Sequence, residues 1–205
     1  MVRVYHREHA GRPVRVVWTL EELGLPYEIT VMNWEEGQSD EHRARHPLLR
    51  VPVLEDDEGF VFESAAICLH LADLCPEAEL LSQPGTHERA LAYQWATFAP
   101  AELEPALIES AIFANADPER AAKARQRFGA AAQAVAGALG DDDYLVDGRF
   151  GVADVLVGTA LAFTARVGFA EELPPSLQEY TARLAERPAF VRAAERTELS
   201  LGASR

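Results

Sequence analysis

The stretch Arg50-Val51-Pro52-Val53-Leu54, with Glu63-Ser64-Ala65-Ala66-Ile67 following closely, constrains this chain more than any other. Between them, Asp56-Asp57-Glu58-Gly59 reads as a turn: its acidic run resists burial and Gly59 tolerates positive φ. The turn joins a strand beginning after Pro52 to a second one, Phe60-Val61-Phe62, whose aromatic and β-branched composition suits a buried strand. Ser64 precedes the apolar series Ile67, Leu69, Leu71, Ala72 and Leu74 and has the chemistry of a helix N-cap. A strand that runs into a capped helix aims backbone N–H groups and the positive end of a dipole outward, where a carboxylate binds well. Pro52 lacks an N–H, and a proline at the head of a strand often lies in cis. Val51 is then expected to offer its backbone N–H and C=O to a peptide-like ligand lying alongside.

The flanking residues build a unit around this stretch. Val2–Tyr5 is expected to be the first strand and residues 6–12 a polar loop. Pro13 to Leu23 is expected to be a helix, with Val16, Val17, Leu20 and Leu23 at helical spacing. Gly24 suits the C′ position, Pro26 prevents continuation, and Tyr27–Val31 follows as a strand parallel to the first. A short helix over residues 40–46 completes the order βαβαββα across residues 1–76. Residues 77–86, with Pro84 and Gly85, read as a linker. Residues 87–205 read as an all-helical domain. Helices are expected over 87–115 (bent at Pro100 and Pro105), 118–139, 151–167, 176–186 and 189–195, and the tail from Leu199 is expected to be loose.

Composition narrows the partners. With 33 acidic against 19 basic residues the 205-residue chain carries a formal charge of −14, which argues against nucleic acid or an anionic membrane surface. No apolar run is long enough for a membrane span and no signal-peptide core is evident, so a cytoplasmic location is expected. Cys68 and Cys75 form neither a CxxC motif nor a metal-ligand pair, and Cys68 falls on the apolar face of its helix as a small core residue. No metal is expected.

Val51-Pro52-Val53-Leu54 and Phe62-Glu63-Ser64-Ala65-Ala66-Ile67 resemble the glutathione-binding half of the glutathione transferase family, in its cytosolic, bacterial type. Arg15-Val16-Val17-Trp18-Thr19-Leu20-Glu21-Glu22-Leu23-Gly24-Leu25-Pro26-Tyr27-Glu28 is similar to that family's first helix and second strand. The resemblance implies a thioredoxin-like N-terminal domain followed by an all-α C-terminal domain, a homodimer, and glutathione as co-substrate in detoxification of a small apolar electrophile. It assigns the γ-glutamyl carboxylate to Ser64, the γ-glutamyl amine to Glu63, backbone pairing with the cysteinyl part to Val51 beside Pro52, and the glycyl carboxylate to Arg50. It also implies a buried Asp at Asp154, with Gly151 standing where the family usually has a capping hydroxyl. Leu48-Leu49 is less usual for the family at that place, which implies a local loop that differs.

The family activates the thiol with a Tyr, Ser or Cys near the end of the first strand or the start of the first helix, which stabilises the thiolate. Residues 6–13 contain no Ser, Thr, Tyr or Cys. Tyr5 has the right functional group, His9 a donor or positive charge, and Arg12 or Arg7 a permanent charge. A backbone N–H from Ala10-Gly11-Arg12 is a further substitute, and these alternatives stay open on the sequence. Trp34, in a polar loop, and the aromatic stretch Tyr93 to Ala99 are candidates for lining the acceptor pocket. The expected activity is conjugation of glutathione to a small electrophile. The alternatives are a non-catalytic glutathione-binding or interaction protein, or a glutathione-dependent isomerase, dehalogenase or peroxidase on the same scaffold.

Overall fold

The computed structural model describes residues 1–8 and 10–198. Its backbone forms two compact units, one of Met1–Leu81 joined by a returning segment that begins at Arg187, the other of Ser82–Glu186.

In the first unit, β1 (Val2–Arg7), α1 (Pro13–Leu23), β2 (Tyr27–Met32), α2 (Asp40–Arg45), β3 (Val53–Glu55), β4 (Phe60–Phe62) and α3 (Ser64–Leu74) follow the expected βαβαββα order. The sheet runs β2-β1-β3-β4. β1 and β2 are parallel, with Val2 opposite Tyr27 and Arg7 opposite Met32, whereas β3 is antiparallel to both β1 and β4. β1 is two residues longer than the sequence suggests, because His6 and Arg7 continue the pairing with Val31 and Met32 and the His6 ring is buried. Val4 and Leu54, neighbours across the sheet, join Val14, Val17, Trp18, Leu20, Ile67, Cys68 and Leu71 in the core. Cys68 is fully buried, and that burial pushes its thiol up to about 11. α1 ends at Gly24, whose φ of 64° closes the helix in the left-handed conformation that glycine adopts without a Cβ penalty.

Two expectations fail here. β4 is an edge strand, so Phe60 and Phe62 are 44% and 39% exposed rather than buried: with one neighbouring strand, aromatic composition does not secure burial. Ser64 is also not the N-cap of α3. Glu63 holds that position, with φ 70° and no side-chain cap bond, and Ser64 is the first helical residue.

Beyond α3, a short 3₁₀ turn over Pro76–Ala78 leads to Leu80 and Leu81, both buried, so the segment read as a linker is anchored by apolar contacts. The unit is completed by α9 (Pro188–Arg196), a strongly amphipathic helix that packs on α1. Phe190 meets Trp18 edge-on at 4.7 Å, Arg187 donates twice to Glu22 (2.7 and 2.9 Å), and Arg192 pairs with Glu21 at 2.6 Å. α1 is buried along Pro13–Leu20 because it packs against α3 on one flank and α9 on the other.

The second unit contains α4 (His87–Phe98), α5 (Glu104–Phe113), α6 (Pro118–Leu139), α7 (Val152–Arg166) and α8 (Pro175–Ala185). Pro100 lies in a π turn, Ala99–Leu103, that separates α4 from α5 where the sequence predicts a bend. α7 is almost wholly buried, and Asp154 in its first turn stands in for the missing cap hydroxyl. Its carboxylate accepts from Gly151 N (2.9 Å), Leu145 N (3.0 Å) and Tyr180 Oη (2.8 Å). Burial nonetheless pushes the Asp154 carboxyl up to about 6, against the pull of these donors. Among the described residues no helix is long and apolar enough to cross a membrane.

Candidate functional site

The antiparallel register that sets Tyr5 opposite Val53 carries β3 back toward Pro52 and Val51 at the end of the sheet where β1 closes. The Val51–Pro52 peptide is cis. Among the described residues nothing hydrogen-bonds the Val51 backbone, so its N–H and C=O are open to an added strand. Arg50, just before it, is exposed and its guanidinium makes no hydrogen bond or ion pair among the described residues.

β4 delivers the second half of the site. Glu63 sits at the N-cap of α3 with an exposed carboxylate, and Ser64 follows at 5% exposure. The first N–H groups of α3 lack intrahelical partners and carry the positive end of the helix dipole. Arg15, fully buried on α1, donates to Ser64 Oγ at 3.4 Å, which adds a second positive charge beneath this terminus. Nothing in the sequence marked Arg15 beyond its helical position, since its burial follows from α1 being enclosed by both α3 and α9. Both segments carry left-handed backbone at non-glycine residues, Leu49 (φ 55°) and Glu63 (φ 70°). Such strain persists only where the surroundings over-determine it, and it concentrates at ligand-facing turns.

The proposed thiol activators are placed differently. Tyr5 is buried against Met32 and Val53, and its hydroxyl donates to Glu55 at 2.7 Å, toward the end of β3 remote from Pro52. Arg45 of α2 covers its ring at 4.3 Å. Strand parity thus turns Tyr5 to the α2 side of the sheet and commits its oxygen. Arg12 immediately precedes Pro13, the first residue of α1, where Gly11 and Arg12 lead the helix terminus. His9 lies outside the described residues. Arg7, at the end of β1, reaches over the ring of Trp34, which is 72% exposed. In the second unit Trp95 is buried and Tyr93 is exposed, its hydroxyl bonded to Arg89 at 2.7 Å. Among the described residues no group of three or more His, Cys, Asp or Glu is placed to hold a metal ion.

Comparisons with known proteins bear on the chain as a whole. The family models of the glutathione S-transferase N-terminal and C-terminal domains match residues 2–73 and 90–188. Glutathione S-transferase 1 of Schizosaccharomyces pombe is 32% identical over 162 residues, 74% of this chain and 71% of the relative. GstA of Escherichia coli O157:H7 is 27% identical over 83% of this chain and 86% of its own. With rice and maize relatives the match spans about half of their length. Among solved structures, the glutathione transferase URE2P6 of Phanerochaete chrysosporium, in complex with oxidised glutathione, superposes with a TM-score of 0.85 at 27% identity, covering 96% of both chains. A thioredoxin-like first unit carrying this site, a helical second unit, and matches across both halves lead to one conclusion: the chain belongs to the glutathione S-transferase family.

Proposed function

We propose that this protein binds glutathione along Val51 and at the N-terminus of α3, and joins it through its sulfur to a small apolar electrophile. The observation that carries the reading is the juxtaposition on one unit of two complementary features: an unpaired backbone edge at Val51-Pro52 and an acidic–hydroxyl pair, Glu63-Ser64, at a helix N-terminus. Ser64 and the α3 N–H groups suit the γ-glutamyl carboxylate, with Arg15 reinforcing the positive field from below. Glu63 suits the γ-glutamyl amine. Arg50 suits the glycyl carboxylate, and Val51 pairs with the cysteinyl backbone.

In the reaction, the thiol loses its proton and the sulfur lone pair forms a bond to the electrophilic carbon as the leaving group departs with its electron pair. Holding the two reactants together supplies proximity, and a positive group near sulfur raises the thiolate fraction. With the Tyr5 hydroxyl engaged by Glu55, this reading assigns thiolate stabilisation to Arg12 and to the backbone N–H groups of Gly11 and Arg12 that precede α1. The acceptor is assigned to the helical unit, and a homodimer is the assembly we expect.

The test is ultraviolet titration of protein-bound glutathione, which follows thiolate absorbance against pH. A bound thiol pKa well below that of free glutathione, restored toward the free value by Arg12→Gln but not by Tyr5→Phe, is the expected result. Binding without a shift supports the second reading, a glutathione-binding member without transferase activity, which the absence of a side-chain hydroxyl across residues 6–13 favours. Absence of binding overturns both.

A further inference from the structure

α2 contributes no side chain to the proposed ligand contacts, yet His42 within it and His46 at its C-cap are both buried, and they contact the backbone and ring that flank the two halves of the site. His42 lies within the helix, and its Nε2 is 3.0 Å from the Arg50 carbonyl. A carbonyl only accepts, so Nε2 carries the proton and Nδ1 presents a bare lone pair, which is buried without a partner. His46 follows the last turn of α2, and its Nδ1 accepts from Leu48 N–H at 3.1 Å, so this nitrogen carries no proton. Leu49 N–H then donates to the His46 carbonyl at 2.9 Å, which closes the turn that holds Leu49 at φ 55°. The His46 ring also rests on Phe62, with centroids 4.6 Å apart, immediately before Glu63.

His46 therefore touches the segment leading to Val51 and the segment leading to Ser64. We propose that His46, with His42 behind it, is a positioning residue that couples the two halves of the ligand site, and that protonation of His46 uncouples them and releases the ligand. The inference rests on the glutathione reading above.

The chemistry is specific to these two rings. A proton on His46 Nδ1 places a donor against the Leu48 N–H donor and breaks the bond that shapes the turn. The groups facing His46 are Glu63 from the α3 terminus and Arg50 from its own loop; those facing His42 are Arg45 and His46 from α2 and Arg7 from β1. Burial lowers the proton affinity of both rings, so both are neutral near pH 7 and the site is intact there. The effect appears only as the pH falls below the ordinary histidine range. The carboxylates and amine of glutathione hold their charges between pH 7.5 and 5.5, but a thiol whose pKa falls on binding titrates there, so the probe is S-methylglutathione, which has no thiol proton to lose.

The experiment has two arms on the full chain. Titration calorimetry measures S-methylglutathione affinity at pH 7.5 and 5.5 for wild type, His46→Asn and His46→Gln. The side-chain amide oxygen of either replacement accepts an N–H bond but does not titrate. Wild type is expected to lose about five-fold in affinity on acidification, the equivalent of one hydrogen bond, while the ratio for the variants stays near one. In ligand-free protein, the Leu48 backbone amide resonance is expected to move with the His46 ring titration in wild type and to stay fixed in the variants. An equal loss of affinity in all three proteins, or a Leu48 amide indifferent to the His46 ring, overturns the proposal. If neither glutathione nor S-methylglutathione binds at pH 7.5, the ligand reading falls, and the amide arm alone decides whether His46 protonation frees the turn.

Discussion

Leu49 and Glu63 adopt a backbone conformation that side chains disfavour by about 1–2 kcal/mol each. The Leu49→Gly variant removes that cost but gains freedom when unfolded, so a net stabilisation of about 0.5–1 kcal/mol is expected in urea unfolding. A destabilised variant would show that the Leu49 side chain makes packing contacts worth more than the strain. Ser64→Ala is expected to weaken glutathione binding by about 1–3 kcal/mol, read by calorimetry, if the hydroxyl meets a carboxylate. Unchanged affinity would leave the helix N–H groups as the whole of that contact. The pairing of Val51-Pro52 with Glu63-Ser64 was legible in the sequence because it rests on residue type and spacing. Positive φ was legible at Gly24 and Gly59, where the residue announces its own freedom. Leu49 and Glu63 carry no such mark: the bonds at their turns, Leu49 N–H to the His46 carbonyl and Ile67 N–H to the Glu63 carbonyl, appear only in the fold.

Among the elements, α1 was readable from end to end: Val16, Val17, Leu20 and Leu23 set its apolar spacing and Gly24 its stop. β4 was readable as a strand but not as an edge, since local composition records propensity and not the number of neighbours a strand acquires. Tyr5 shows the same limit, because only the pairing register reveals which face of the sheet it occupies. α7 offers a titratable test. Asp154 is held near 6 in the native state against about 3.9 when unfolded, so the native state binds the extra proton between these values. Stability supplied by the protonated form is therefore full below about pH 4 and is lost as pH rises through 6. In Asp154→Asn this dependence is absent, and its stability gap to wild type is expected to narrow by about 2 kcal/mol between pH 4 and 6. A gap independent of pH would mean that the three donors keep Asp154 ionised throughout.

At the scale of the whole molecule, the first unit is assembled from both ends of the described chain. The sequence showed a helix near residues 189–195 but not its destination, because Phe190 and Ala193 mark an apolar stripe without naming its partner. Phe190→Ala removes a ring that is buried against Trp18 and is expected to cost about 3–5 kcal/mol in thermal or urea unfolding. A chain ended after Glu186 keeps every proposed glutathione contact, yet it uncovers Trp18 and leaves Glu21 and Glu22 without Arg192 and Arg187. It is expected to show neither glutathione binding nor a cooperative transition for this unit; retention of both would assign α9 a minor part in stability.

This discontinuity also orders events on the ribosome. Translation delivers β1 through α3 first, but the element that closes the other flank of α1 is a helix synthesised more than a hundred residues later. The nascent α1 must wait, with part of its apolar surface uncovered, while the contiguous stretch from Ser82 to Glu186 emerges and becomes free to fold. Vectorial synthesis thus lets the second unit reach its native state before the first.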